Sequence, residues 1–432
     1  MRQTRRASAP KAPSRRHPDR RLVWVIMLFF FSAFLLISLK GQIHWQGLAL
    51  ALVVPVLIYI ATMWLPRFFP ADKLLLAIAN FLCALGVLIL YSTDQGTDTT
   101  RGLQQAVYYG IGIIAMLFCI LLVRYIRRWK FMIILIMGGA AILLALPLAI
   151  GTEQNGATNW INVGGTSLQP SEIVKIALLL ILSYYLSERR FLPWFLFAGF
   201  SLVILMFQMD LGTALIYYAT TLFLFYSATG NLPLTGLGIL GSGGAAILGY
   251  QMFAHVKKRV AIWRNPWIYY ETSGYQIVQM LMAIASGGLF GVGLGLGAPR
   301  VIPVYFTDCI FAVICEQFGI IFGILVLVMY VILILRGTSI ATSARSSFHA
   351  LLAMGCTVIL GIQTFVIIGG VLKLIPLTGV TMPFVSYGGT SMVSCMGIIG
   401  LLQGVASINQ DDLAYDYEIS HSLQEEGQLP EA

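Results

Sequence analysis

The chain has 432 residues, of which 58% are hydrophobic and only 10% are charged. A soluble domain has about 25% charged residues, so this composition excludes a soluble protein. Apolar runs of about 18 residues or more recur along the chain, as expected for membrane-crossing helices. A membrane β-barrel would show short alternating segments instead. The composition therefore predicts an all-α polytopic membrane protein.

The net charge of +9 does not indicate nucleic-acid binding, because much of it lies before the first apolar run. Residues 1–21 are rich in Arg, Pro and Ser and have no apolar periodicity, which predicts a basic disordered cytoplasmic tail. A signal peptide is the competing interpretation. The apolar run 22–39 is long for one, however, and no A-x-A-like site follows. The acidic segment 411–432 is predicted to be a second disordered cytoplasmic tail.

The apolar runs predict about twelve transmembrane helices. Their approximate bounds are 22–39, 46–65, 73–92, 104–123, 131–150, 171–187, 191–208, 211–229, 232–253, 308–335, 347–372 and 383–407. Most Lys and Arg residues between them fall on one side, which the positive-inside rule assigns to the cytoplasm. Both termini then lie in the cytoplasm, and the loops 151–170, 254–307 and 373–382 lie outside.

The outer loop 254–307 is the longest polar interruption of the chain. Four basic residues in it break the positive-inside pattern and indicate an anionic ligand: Lys257, Lys258, Arg259 and Arg264. Farther along, residues 275–289 have the pattern of an amphipathic helix on the membrane surface. The glycines from Gly291 to Gly297 favour a tightly turning or re-entrant segment, because no strand precedes them as a dinucleotide-binding motif requires.

Acidic residues gather near the predicted outer face. They are Glu172, Asp210, Glu271, Asp308 and Glu316. A charge at membrane depth is tolerated mainly where it faces a cavity, a partner or a ligand. The gathering therefore predicts a polar cavity that opens outward. The alternative is that each acid pairs with a neighbour or caps a helix, as Asp210 would do before Leu211.

Two spacings among these acids suggest chemistry. Asp308 and Glu316 are two turns apart on one predicted span, where both could reach one cavity wall. A carboxylate in a low-dielectric mouth can act as a general base or hold a divalent cation. Glu172 and Lys175 share a helix face. This leaves two interpretations open, either an internal ion pair or a Lys175 side chain that meets an anionic head group.

The segment 375–389 contains two prolines and several glycines at a membrane boundary. Irregular backbone is tolerated there only when it is buried in protein or lines a wet cavity. Ser386 and the glycines after it precede a long apolar helix, and backbone N–H groups at such a start can hold pyrophosphate. A purely structural hinge is the alternative.

Taken together, these motifs resemble the SEDS family of bacteria (shape, elongation, division and sporulation), the group of RodA, FtsW and SpoVE. The matching segments occur in the family's order. They are 155–164, 169–175, 210–213, 274–276, 283–289, 307–316 and 376–389. The resemblance covers residues 73–407 and implies a core of ten helices, with the two helices in 22–65 as an N-terminal addition.

The resemblance implies a peptidoglycan glycosyltransferase that polymerises lipid II outside the cytoplasmic membrane and releases undecaprenyl pyrophosphate, usually with a class B penicillin-binding transpeptidase. Asp308 matches the family's essential acid. Substrate-binding roles are expected for the remaining candidates: Lys175, Glu172, Glu316, Gln276, Trp160, Lys257, Lys258, Arg259, Arg264 and Ser386. A divalent cation, Mg²⁺ or Mn²⁺, is the one cofactor considered, with Asp308 as its ligand.

Three departures from the family pattern stand out. Phe306 replaces a frequent histidine, Gln317 follows Glu316 where a second glutamate is common, and Asn159 precedes Trp160 where a basic residue is frequent.

Two other functions stay open. A lipid II flippase would have charged residues along a path to both membrane faces, and a scaffold for the transpeptidase would not need Asp308.

Overall fold

The structure is a computed structural model that describes residues 20–40, 45–125, 129–154, 157–164 and 166–425. The predicted tail 1–21 lies outside these residues except for Arg20 and Arg21, which begin the first helix. Within the described ranges, eleven helices are long and apolar enough to cross a membrane, and Phe191–Phe207 is a shorter apolar helix. The prediction of an all-α polytopic membrane protein is confirmed.

Fourteen α-helices follow one another along the described part of the chain. They are α1 (Arg20–Ser38), α2 (Trp45–Tyr59), α3 (Lys73–Asp94), α4 (Arg101–Tyr125), α5 (Trp129–Ile150), α6 (Pro170–Ser187), α7 (Phe191–Phe207), α8 (Leu211–Thr229), α9 (Leu232–Met252), α10 (Ala254–Arg264), α11 (Tyr275–Gly287), α12 (Ile310–Thr342), α13 (Ser347–Val371) and α14 (Gly389–Glu425). A π-helical turn and a 3₁₀ turn extend α2 as far as Arg67. The polar segment 254–307 thus contains two helices, α10 and α11.

The core is centred on α3, which is buried along almost its whole length. The two N-terminal helices cover one side of α3 and are not independent of it. The Asn80 amide of α3 donates to the Thr62 hydroxyl at 3.0 Å, and it accepts from the Tyr109 hydroxyl of α4 at 2.7 Å. Polar groups at membrane depth need such internal partners, so this hydrogen-bonded trio joins the added helices to the core.

One end of the bundle is held by charge pairs to α14. Arg124 of α4 pairs with Asp411 at 2.9 Å, and Arg345 pairs with Asp416. These contacts stabilise α14 beyond the apolar part of the helix. The prediction that the segment 411–432 is disordered is therefore wrong as far as Glu425, where α14 ends.

A small antiparallel sheet occupies the predicted loop 151–170. Its strands are β1 (Thr152–Gln154), β2 (Ala157–Val163) and β3 (Thr166–Leu168), in the order β1-β2-β3. The Thr158 N–H of β2 donates to the Gln208 carbonyl at 3.1 Å, and the Asn159 amide donates to Asp210 at 2.8 Å. The sheet is thus fixed to the junction of α7 and α8, at the opposite end of α6 from Arg190.

The helix predicted at 275–289 is present as α11, and the glycine segment after it, residues 288–297, lies against an interruption in α12. Gly319 interrupts α12 with φ +85°. The backbone groups freed there find partners across the glycine segment, since the Val292 N–H donates to the Glu316 carbonyl at 2.9 Å and the Ile320 N–H donates to the Gly288 carbonyl at 3.0 Å. The glycine segment is therefore a tight turn that completes the broken helix.

We expect Gly319→Ala to destabilise the protein more than a glycine replacement elsewhere. A Cβ at this position would lie 2.2 Å from the Leu289 carbonyl oxygen, and a backbone conformation of this kind costs a non-glycine residue about 1–3 kcal/mol. The check is the unfolding temperature in detergent. Gly241→Ala in α9 is the control, because its Cβ would meet no atom within 4 Å. Equal unfolding temperatures for both variants would contradict this account.

Candidate functional site

Two irregular segments meet at Asp308. One precedes α12, and the other, residues 376–389, precedes α14. The Ser386 hydroxyl donates to the Thr307 carbonyl at 2.6 Å and accepts from the Met382 N–H at 2.8 Å. The Tyr387 N–H donates to the Phe306 carbonyl at 2.8 Å. Each segment therefore satisfies backbone groups of the other, and together they fix the position of Asp308.

Asp308 itself is half-buried and lies two residues before α12, which begins at Ile310 rather than at the acid. Its Oδ2 atom faces Gly379, where an added Cβ would lie 3.7 Å away. Burial raises the pKa of Asp308 to about 6, against the opposing effects of the Thr307 hydroxyl and the Arg259 charge. At pH 7.5 the carboxylate is therefore mostly ionised and able to accept a proton.

Gln276 and Arg259 are the predicted residues that the structure brings to Asp308. The Gln276 amide donates to the Cys309 sulfur at 3.2 Å, next to the acid. Arg259 Nη1 donates to the Thr378 carbonyl at 3.2 Å, beside Gly379. An exposed guanidinium thus borders the site on the side of the segment 376–389.

The other basic residues of α10 do not reach this site. Lys257, Lys258 and Arg264 are exposed and form no hydrogen bond or ion pair with the residues that the structure describes. Their predicted role in substrate binding stays a prediction. Arg259 is the one member of the basic cluster that contacts the segment beside Asp308.

Glu172 and Lys175 form an internal ion pair, which decides between the two interpretations of their spacing. Lys175 Nζ lies 2.6 Å from Glu172 Oε2, and the two side chains are 1% and 5% exposed. The Ser394 hydroxyl donates to Glu172 at 2.8 Å, and Lys175 donates to the Gln363 side chain at 2.8 Å. Internal partners therefore bury both side chains in this structure, and their predicted contact with substrate stays a prediction.

This pair nevertheless connects to the site through Gln363. The Gln363 amide donates to the Thr381 carbonyl at 2.9 Å. The Thr381 and Ser391 hydroxyls are 2.7 Å apart. The buried ion pair is thus linked to the segment 376–389, and Lys175 acts on the site by holding that segment. Sequence reasoning missed Gln363, although an amide in the middle of an apolar span is itself a signal.

The Glu316 carboxylate lies against the glycine segment, next to Gly297. It is buried, and its Oε1 atom accepts a hydrogen bond from the Ala298 N–H at 2.9 Å. The neighbouring Gln317 accepts from the Ser92 hydroxyl at 3.0 Å and from the Gly295 N–H at 3.2 Å. Both side chains face the glycine segment and support it. The predicted substrate contact of Glu316 stays a prediction.

Ser386 is held by internal hydrogen bonds, as is the backbone near it, and its predicted role in substrate binding stays a prediction. Its own N–H donates to the Met382 carbonyl at 3.1 Å, and the Gly388 N–H donates to the Gln105 side chain at 3.4 Å. Ser386 is 3% exposed. The segment is thus fixed by internal hydrogen bonds in this structure, and it positions Asp308.

The small sheet presents Trp160, which is half-buried on β2 opposite Thr152. Asp210 caps α8 by accepting from the Thr213 N–H at 3.0 Å, as the helix-cap alternative predicts. It also accepts from Asn159 and, at 3.1 Å, from the Gln169 amide. The departure at Asn159 therefore serves the attachment of the sheet. No contact joins Trp160 to Asp308 among the described residues, so its role in binding stays a prediction.

The described residues contain no group of three or more His, Cys, Asp and Glu side chains that could hold a metal ion. Asp308 is thus not part of such a group of ligands. Mg²⁺ and Mn²⁺ are commonly bound by one or two carboxylates together with substrate phosphates. A cation at Asp308 would therefore need oxygens from a phosphorylated substrate.

Arg101 is a further residue that sequence reasoning missed. Its guanidinium carbon lies 4.2 Å from the centre of the Phe306 ring. Phe306 stands two residues before Asp308, so this cation–π contact borders the site on the side of α4. The sequence feature that pointed to this contact was Phe306, which stands where the family frequently has a histidine.

Comparison with protein families gives one match that spans most of the chain. The model of the FtsW, RodA and SpoVE family, described as cell cycle proteins, matches residues 72–411. Peptidoglycan glycosyltransferase RodA of Mycobacterium leprae is 32% identical over 431 aligned residues, which cover 92% of this chain and 91% of the relative. Stage V sporulation protein E of Bacillus subtilis is 34% identical over 357 residues, which cover 78% and 96%.

Solved structures share the same fold. RodA of Thermus thermophilus, described as a rod shape determining protein, has a TM-score of 0.58 at 26% identity and covers 79% of this chain and 98% of its own. A chain from a peptidoglycan synthase complex, solved to show how polymerization and crosslinking are coordinated, has a TM-score of 0.67 at 26% identity. That match covers 79% of this chain and 98% of the other chain.

We expect Lys175→Met to destabilise the protein by about 3–5 kcal/mol, because it leaves the buried Glu172 carboxylate without its counter-charge. The double variant Glu172→Gln with Lys175→Met removes both charges, so it should recover most of the lost unfolding temperature. The measurement is thermal unfolding of the purified protein in detergent. A single variant as stable as the parent, or a double variant less stable than the single, would contradict the internal ion pair.

Proposed function

The chain belongs to the FtsW, RodA and SpoVE family of peptidoglycan glycosyltransferases, and we propose that it polymerises lipid II, with Asp308 as the catalytic base. The observation that carries this proposal is the environment of the acid. Asp308 is half-buried where two irregular segments meet, its pKa is raised to about 6, and Arg259 borders the same site. A base with a pKa near the working pH is effective in proton transfer.

In the proposed reaction, Asp308 accepts the proton of the 4-hydroxyl group of the acceptor GlcNAc. The oxygen of that group attacks C1 of the donor MurNAc. The bond between C1 and the pyrophosphate oxygen breaks, and its electron pair leaves with undecaprenyl pyrophosphate. Attack from the side opposite the leaving group inverts C1 and gives a β-1,4 linkage. The Arg259 guanidinium would stabilise the negative charge that develops on the leaving group.

The charge distribution supports an extracytoplasmic site in the bacterial cytoplasmic membrane. Arg20 begins α1, and Arg124 and Arg345 pair with the last turns of α14. The start of α14 lies at the opposite end, beside Asp308. Because basic residues concentrate on the cytoplasmic side of membrane proteins, we assign both termini to the cytoplasm and Asp308 to the outer face.

The fold similarity to a chain of a peptidoglycan synthase complex supports a partner. We propose a class B penicillin-binding protein, which would crosslink the glycan that this chain polymerises. The length of the match to RodA of Mycobacterium leprae supports a role in cell shape. That match covers 92% of this chain, so it extends beyond the family core into the N-terminal helices, whereas the match to SpoVE covers 78%.

We expect Asp308→Asn to lower the rate of polymer formation from labelled lipid II by about 10²–10⁴-fold, the usual contribution of a general base. The assay uses purified protein and gel separation of the glycan products. Asp98→Asn is the matched control, because Asp98 is an exposed acid in the loop between α3 and α4. Undiminished polymer in Asp308→Asn would reject the role of base.

The same assay tests the cation. A divalent ion held between Asp308 and the substrate pyrophosphate would supply positive charge to the leaving group. If a chelator abolishes polymer formation and added Mg²⁺ or Mn²⁺ restores it, a cation takes part in the reaction. An unchanged rate in the presence of the chelator would show that none does.

The rate should fall as the pH falls through about 6, because protonation of Asp308 removes the base. Arg259 lowers the pKa of this carboxyl, so Arg259→Gln should move the acid limb of the pH–rate profile to higher pH. The control is Arg190→Gln, which removes an exposed charge at the other end of α6. An acid limb that stays in place in Arg259→Gln would show that Arg259 does not act on Asp308.

A further inference from the structure

Arg101 is the first residue of α4 and lies against the segment that carries Asp308. Its guanidinium carbon is 4.2 Å from the centre of the Phe306 ring and 5.9 Å from that of Tyr305. Its Nη1 atom donates to the Tyr305 hydroxyl at 3.2 Å. Both aromatic residues come shortly before the acid in the chain, so the arginine is held next to the backbone that positions Asp308.

The positive charge of Arg101 is only weakly compensated. Its ion-pair partner among the described residues is Asp94, at 4.0 Å from Nη1. The Asp94 carboxylate already accepts from the Gly102 N–H at 2.7 Å and from the Thr99 hydroxyl at 2.6 Å. Within the described part of the chain, Nε and Nη2 of Arg101 donate no hydrogen bond. The side chain is 26% exposed, so these donors are available to a ligand.

A guanidinium with unused donors is suited to phosphate oxygens, because its planar fork can donate two parallel hydrogen bonds. Arg300, on the same side of the bundle, differs from Arg101 in this respect. Its Nη2 atom donates to the Thr93 carbonyl at 3.0 Å and also to the Gln95 carbonyl. Arg300 thus holds the end of α3, whereas Arg101 keeps donors free beside the site.

Phe306 explains how the arginine is held. A cation over the face of an aromatic ring is attracted by the ring's electron density. The Phe306 ring is fixed in turn by edge contact with Tyr387 at 5.9 Å, and the Tyr387 hydroxyl donates to Gln104 of α4. The histidine that is frequent at this position in the family would acquire a positive charge on protonation and repel Arg101.

We propose that Arg101, held by the Phe306 ring, binds the diphosphate group of the lipid-linked substrate. The inference rests on the proposed function, in which such a diphosphate is the leaving group. Arg101 approaches the site from α4, and Arg259 approaches it from α10, so the two cations lie against the two segments that meet at Asp308. Phe306 is a positioning residue, since it acts through Arg101.

The test is equilibrium binding of radiolabelled farnesyl pyrophosphate to the purified full-length protein in nanodiscs, with farnesol as the uncharged competitor. Arg101→Gln should weaken diphosphate binding by about tenfold or more, because a charge-assisted bidentate contact is lost. Arg101→Lys should be intermediate, since lysine keeps the charge without the planar fork. Arg190→Gln, at the far end of α6, should bind as the parent does.

Variants of Phe306 keep the test informative if Arg101→Gln folds poorly. Phe306→Tyr keeps an aromatic face and should retain binding, whereas Phe306→Leu should weaken it. Phe306→His should weaken binding increasingly as the pH falls below about 6.5, the ordinary pKa of histidine. A purely structural role would instead lower the unfolding temperature of these variants and leave the affinity for the diphosphate unchanged, which would overturn the proposal.

Binding needs no turnover, so this proposal and the proposed function can fail separately. Farnesyl pyrophosphate bound equally by the parent and Arg101→Gln would overturn the inference, as would displacement of the diphosphate by an equal concentration of farnesol. An unchanged KM for lipid II in Arg101→Gln would also overturn the inference, but it would leave the proposed polymerase function intact. A parent that binds the diphosphate through Arg101 but makes no polymer would overturn the function alone.

Discussion

The hydroxyl group of Ser386 joins two stretches of irregular backbone that depend on each other for hydrogen bonds. It donates to the Thr307 carbonyl and accepts from the Met382 N–H. Hydrocarbon supplies no hydrogen-bond partner, so non-helical backbone at a membrane boundary has to be satisfied by protein. Asp308 follows Thr307 directly, and its position is a consequence of this junction. The acid is held half-buried, with a raised pKa and with Arg259 beside the facing segment.

A second set of contacts supports the same junction from inside the bundle. The buried pair of Glu172 and Lys175 is linked through Gln363 to the Thr381 carbonyl. A buried ion pair contributes little net stability, because the cost of removing two charges from water offsets their attraction. The pair instead contributes to the geometry of the site. The pair and Gln363 hold the segment 376–389 in one position.

The sequence predicts the membrane helices well, because bilayer thickness sets the length of an apolar run and leaves little freedom. It also identifies Asp308, since a charged residue next to an apolar run is costly unless it faces a cavity, a partner or a ligand. The sequence does not show which acids already have hydrogen-bond or ion-pair partners inside the protein. Glu172 has a partner 222 residues away, in Ser394, and such contacts leave no local pattern. The helix beyond residue 411 was missed for the same reason, because Arg124 stabilises it from another helix.

The central claim is that Asp308 faces water outside the membrane. The most direct measurement is labelling of Asp308→Cys, in a background without the six native cysteines, by a membrane-impermeant maleimide added to intact cells. Asp98→Cys serves as the outer reference and Arg190→Cys as the inner one. Position 308 should react from outside, as position 98 does. Reaction only after the membrane is opened, or no reaction at all, would contradict it.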